Sequence, residues 1–253
     1  MTDLSPLRED QVTRRTWPGV VAVTGALGSG KTAWTLDIGL SLHRRGFRVA
    51  FADLDIINPY FCLREVADDI RRLGVDVALP PGETRWGDFP VVSPAVTRLL
   101  SSDYDHVFLD VGGEAKGVLA LKQFVPFLEE RGYELLLVLN PFRPQSSTVE
   151  AVRTMCRDME ALSGLRVTGI LGNAHLMERT GVEDLVRGLA LVRRSAEALA
   201  LPLIYVGVSE SLFERARESL ALETVPLWPL SRRILFPWER SVPVDGKGTS
   251  RHS

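Results

Sequence analysis

The chain has 253 residues, of which 45% are hydrophobic and 25% charged, and its formal net charge is −2. These values fit one large soluble α/β domain with a full core, and they exclude the clearly basic balance of a nucleic-acid-binding domain. Cys62 and Cys156, the two cysteines, stand far apart, which excludes a disulfide framework and a cysteine zinc site and fits a reducing, cytoplasmic setting.

In chain order, residues 1–18 are polar and lack a sustained period, so they read as a flexible arm with no apolar stretch of signal-peptide type. A single domain is expected over 19–240. The turn-rich, polar residues 241–253 read as a disordered tail. No run approaches the roughly 18 apolar residues of a membrane span. Within 19–240, short apolar runs at 19–24, 47–53, 75–79, 106–111, 134–140, 166–173 and 203–208 alternate with amphipathic segments at 31–45, 115–131, 147–162, 182–200 and 210–220. Runs that are apolar throughout predict strands buried on both faces. Their alternation with helices predicts a three-layer α/β fold, with a mostly parallel central sheet and helices on both faces. Ligands of such sheets bind at the carboxyl ends of the strands.

The first strand end carries Gly25-Ala26-Leu27-Gly28-Ser29-Gly30-Lys31-Thr32, a G-x-x-x-x-G-K-[ST] loop between a strand and a helix. Glycines let backbone N–H groups turn inward onto phosphate oxygens, and the following helix adds its positive end. In that chemistry Lys31 meets the β- and γ-phosphates and the Thr32 hydroxyl serves Mg²⁺. The second strand ends in Asp53-Leu54-Asp55, where i and i+2 point the same way, so both carboxylates can face the phosphates. One suits the metal and the other suits positioning or deprotonating water.

Asp110 ends the apolar run 106–111 and stands three residues before Gly113. That spacing suits a metal carboxylate followed by a backbone N–H that senses the γ-phosphate. Asn173 ends a late strand, and its carboxamide suits a purine edge. His175 reads as structural and Arg143 as a turn residue, although Arg64 and Arg143 are the arginines to test as charge donors in catalysis.

Together GALGSGKT, DLDIINPYF, FLDVGG and the late ILGN resemble the MinD/ParA/nitrogenase-iron-protein group of P-loop ATPases, over residues 20–208. The DLDIINPYFCLRE phrase is most similar to a little-characterised bacterial branch of that group. The resemblance implies Mg-ATP as ligand, with Lys31 on the phosphates and Thr32, Asp53 and Asp110 around Mg²⁺. It also implies Asp55 on the water, Gly113 in the γ-phosphate switch and Asn173 on adenine. Many members place a second lysine early in the loop, which crosses a dimer interface. Here that position is Ala26, so a nucleotide-dependent homodimer is not expected to work through such a lysine, though Lys116 lies soon after the switch. The cysteines match no iron–sulfur pattern of the group. The N-K-x-D sequence that reads guanine is absent after Asn173, which favours ATP over GTP.

The leading expectation is thus an ATP-hydrolysing switch acting on an unidentified protein partner. A small-molecule kinase or ligase-type enzyme is the alternative, with an acceptor pocket from residues 58–64 or 80–90, including Trp86 and Phe89. A non-hydrolysing ATP-bound scaffold is the second alternative.

Overall fold

A computed structural model describes residues 3–55, 63–80, 94–220 and 225–231, except for the side chain of Lys116. The expected 241–253 tail, Cys62, Trp86, Phe89 and most of both acceptor-pocket segments lie outside the described residues. In chain order the elements are α1 (Ser5–Thr13), β1 (Val20–Thr24), α2 (Lys31–Arg44), β2 (Val49–Leu54), α3 (Ala67–Arg72), β3 (Asp76–Ala78), α4 (Pro94–Leu100) and β4 (His106–Val111). There follow α5 (Ala115–Leu121), α6 (Val125–Arg131), β5 (Tyr133–Leu139), α7 (Val149–Ser163), β6 (Gly169–Gly172), α8 (Val182–Leu199), β7 (Leu203–Ser209), α9 (Phe213–Ser219) and β8 (Leu227–Leu230). The expected helix over 115–131 is two helices joined by a 3₁₀ turn at Lys122–Phe124, because Pro126 cannot continue a helix ladder but suits a first turn.

The strands form one parallel sheet in the order β3-β2-β4-β1-β5-β6-β7-β8. Alternation along each strand divides the core into two layers. Val20 and Ala22 of β1 join the layer of α4 to α8, with Leu99, Leu121, Leu128, Val152 and Val192. Val21 and Val23 join the layer of α1 to α3, with Val12, Leu36, Ile38 and Ile70. The helix after the phosphate loop is anchored by Trp34, whose fully buried ring stacks on Tyr205 at 6.4 Å and meets Trp228 at 5.9 Å. Among the described residues no helix is long and apolar enough to cross a membrane.

Residues 5–13, expected within a flexible arm, instead form α1 and pack on α2 and β8. Val12 enters the core, but much of the attachment is polar, which leaves no apolar periodicity to announce the helix. Gln11 donates to the Leu227 carbonyl at 2.8 Å, and Arg8 Nε donates to the Pro229 carbonyl at 2.6 Å. The two side chains thereby cover carbonyls i and i+2 of β8, the edge strand of the described sheet. Arg8 is 1% exposed, lies 3.5 Å from the fully buried Asp37 of α2 and also pairs with Glu210. Removing one member of a buried pair leaves a desolvated charge. Arg8→Ala is therefore expected to cost about 3 kcal/mol of stability, read as a lower midpoint in urea unfolding. A change below about 0.5 kcal/mol would show that α1 is not an integral part of the fold.

Candidate functional site

β1 is the topological switch point: it pairs with β4 on one side and β5 on the other, and the loop after it opens at the carboxyl edge of the sheet. Gly30 precedes α2 with φ +99°, a left-handed conformation that side chains rarely adopt. A Cβ there would also collide with the Asn173 carboxamide. The loop that follows the β1 strand thus has its glycine where the geometry requires one. Inside it, the Ser29 hydroxyl is buried without a hydrogen-bond partner among the described residues.

The carboxylates gather beside this loop because of strand register. Asp53 on β2 is the direct partner of Asp110 on β4, and β4 is the direct neighbour of β1. Thr32 Oγ1 donates to Asp110 Oδ2 at 2.6 Å. Lys31 Nζ lies 3.7 Å from Asp55 Oδ2, with each side chain only 6% exposed. Asp53 Oδ1 accepts from the Asp55 backbone N–H at 2.9 Å, and Asp53 Oδ2 accepts from Arg64 Nε at 3.0 Å. Arg64 also donates to the Asp55 carbonyl.

Three acids, Asp53, Asp55 and Asp110, thus lie together with two cations, Lys31 and Arg64. Burial pushes the Asp110 carboxyl up to about 7; neighbouring Asp53 adds to the rise, while Lys31 and the Thr32 hydroxyl oppose it. Burial also raises the Asp53 carboxyl, against the opposing Arg64 charge.

Among the described residues, no group of three or more His, Cys, Asp or Glu is arranged to hold a metal by itself. A magnesium ion bound with a nucleotide does not need one, since it keeps waters and takes one or two protein oxygens beside the phosphates. The fully buried Asp110 has an Oδ1 without a hydrogen-bond partner among the described residues, next to the Thr32 hydroxyl. That pair of hard oxygens fits such an ion.

Gly113 follows β4 and lies directly against the first residue of the phosphate loop. A Cβ on it would overlap the Gly25 carbonyl oxygen and stand 3.1 Å from the Ala26 nitrogen. Only a residue without a side chain lets the two segments approach so closely. Ala26 is buried and Leu27, at the tip, is 56% exposed.

On the other flank of the loop, Asn173 Nδ2 donates to the Ser29 carbonyl at 2.7 Å. Two further residues belong to this flank. Fully buried Asn140, which as a strand-end residue gave no sequence signal, donates through Nδ2 to the His175 carbonyl at 2.9 Å and to the Gly28 carbonyl at 3.4 Å. Its Oδ1 accepts from the Phe142 and His175 backbone N–H groups. Arg143, read from sequence as a turn residue, donates from Nε to the Gly28 carbonyl at 3.1 Å. The His175 main chain is thus tied into this flank through Asn140, and its Nδ1 accepts from the Met177 N–H at 3.2 Å.

Solved structures of FtsY share this fold. The Thermotoga maritima cell division protein FtsY aligns at TM-score 0.55 and 19% identity, over 82% of this chain and 70% of that one. The Mycoplasma mycoides FtsY aligns at 0.55 and 17%, over 82% and 68%. The signal recognition particle receptor FtsY from Elizabethkingia anophelis, solved in complex with GDP, aligns at 0.52 and 20%, over 81% and 65%. No protein-family model matches the sequence, and no curated protein matches it. At identities of 17–20% the likeness is one of fold, and it agrees with the parallel sheet. The chain has the α/β fold of P-loop nucleoside triphosphatases.

Proposed function

We propose that this chain binds Mg-ATP and hydrolyses it as a conformational switch for a protein partner, within one nucleotide-binding domain onto which α1 is packed. The observation that carries the reading is the convergence of Lys31, Asp55, Thr32, Asp110 and Gly113 on a single phosphate loop. In this reading the Gly25–Thr32 backbone cradles the phosphates and Lys31 neutralises the β- and γ-oxygens. Thr32 and Asp110 hold Mg²⁺, with Asp53 in its outer shell, and Asp55 orients the attacking water. When bound, the ion offsets negative charge on the phosphates. The Gly113 N–H meets the γ-phosphate, and Asn173, which holds the Ser29 carbonyl, contacts the adenine.

A switch is supported by the Lys31–Asp55 pair. A phosphate that recruits Lys31 competes with Asp55, so occupancy of the loop is felt at the end of β2. The motifs favour the MinD/ParA-like group within the fold. Preference for ATP rests on Ala174-His175-Leu176 following Asn173, where a guanine-reading site places an aspartate. The FtsY structure with GDP shows that this fold also serves guanine nucleotides, which makes base preference the point to measure.

Calorimetric titration with Mg-ATP and Mg-GTP, paired with phosphate release, tests the proposal. The expected result is saturable binding of both nucleotides, ATP tighter by at least about tenfold, and slow release of phosphate from ATP. Equal or tighter binding of GTP would overturn the ATP preference. Failure to bind either nucleotide would overturn the whole reading.

A further inference from the structure

The phosphate loop has two chemically different flanks. Lys31, Asp55, Asp110 and Gly113 crowd one of them, where charge chemistry and the metal belong. On the other, the consecutive carbonyls of Gly28 and Ser29 are held by Arg143 and Asn173. Arg143 is the anomaly there. It sits half-buried at the mouth of the loop and pairs with no carboxylate among the described residues. Its backbone N–H is bonded to the Asn140 carbonyl at 2.9 Å, and the Asn140 side chain is itself buried and tied to Gly28 and His175. The guanidinium is therefore carried on a well-braced turn, with Nε committed to the loop.

We propose that Arg143 recognises the nucleoside half of the bound nucleotide, its guanidinium plane lying against the face of the base. This rests on the nucleotide-binding reading above. The acid-lined flank already accounts for the terminal phosphate and the metal, so the opposite flank meets the rest of the ligand. An arginine whose edge is fixed by a hydrogen bond still offers a flat cationic face, and such faces stack on aromatic rings. Every purine has a π-face, so this contact adds affinity without choosing between adenine and guanine. It also separates the two arginines singled out in the sequence. Arg143 serves the base, whereas Arg64, bonded to Asp53 and to the Asp55 carbonyl, belongs to the acid flank.

The test titrates wild type, Arg143→Ala and Arg143→Lys with Mg-ATP, Mg-GTP and Mg-tripolyphosphate, the last carrying phosphates without a base. Thermal melting confirms that each variant is folded. Arg143→Ala is expected to weaken both nucleotides by about tenfold and tripolyphosphate by less than about twofold. Arg143→Lys should lose most of the same affinity, because an ammonium keeps the charge but has no planar face. An equal loss for tripolyphosphate would overturn the proposal in favour of a phosphate contact or simple support of the loop, and so would no loss for either nucleotide. If wild type binds none of the three ligands, the nucleotide-binding reading itself fails. If it binds tripolyphosphate as tightly as the nucleotides, only the base contact fails.

Discussion

Replacing Lys31 with alanine is expected to weaken Mg-ATP binding by at least about 100-fold, equivalent to about 3 kcal/mol. A charge-assisted bond from a buried ammonium to phosphate oxygens is among the stronger polar contacts a protein makes. Lys31 is 6% exposed at the start of α2, so water cannot easily take its place. The variant also leaves Asp55 without its 3.7 Å partner and removes a charge that restrains the rise at Asp110. Some loss of thermal stability should therefore accompany the loss of affinity. Calorimetry on a variant that melts cooperatively separates the two effects. Affinity within about threefold of wild type would mean that the loop does not hold its ligand through Lys31.

Much of this arrangement is legible in the sequence because two periodicities act together. Strand runs that are apolar on every residue place their ends at one edge of a parallel sheet. The polar residues at those ends, Asp53, Asp55, Asp110 and Asn173, then have to meet there, beside Lys31 at the start of α2. The structure adds the register that makes Asp53 and Asp110 direct neighbours. The rest is held in part by polar contacts of long range, which leave no pattern in the chain. Arg8 and Gln11 dock α1 through carbonyls more than two hundred residues away. β8 was missed because its Leu-Trp-Pro-Leu stretch carries Pro229, which is tolerated only where a strand's N–H is not needed, as at the sheet edge. Asn140 and Arg143 looked like residues of an ordinary turn. Their importance depends on Gly28, more than a hundred positions earlier, which only folding brings within reach.

Asp55→Ala is expected to divide binding from turnover, with Mg-ATP affinity kept or tightened by a few-fold and phosphate release falling by at least about 100-fold. The affinity half follows from the ion pair. Lys31 is engaged with Asp55 at 3.7 Å, and a phosphate has to draw it away. Without that carboxylate, Lys31 is available from the outset.

The turnover half follows from position. Asp55 Oδ1 stands 2.9 Å from where a Cβ on Gly112 would be, next to the segment that carries Gly113 to the phosphate loop. A carboxylate held between that segment and Lys31 is placed to accept a hydrogen bond from a water beside the terminal phosphate. The substitution also spares the framework around it. Arg64 binds the main-chain carbonyl of residue 55 and the side chain of Asp53, and both survive the change. Asp55→Asn supplies the control, since it keeps the shape but cannot act as a base. It should release phosphate as slowly as the alanine variant while still offering an oxygen to orient water. If Asp55→Asn turns over at the wild-type rate, orientation alone is the role. If both variants hydrolyse ATP normally, the water is handled by another group and Asp55 serves only to park Lys31. If both lose binding along with turnover, the acid belongs to the structure of the loop, and the division between binding and chemistry at this residue is gone.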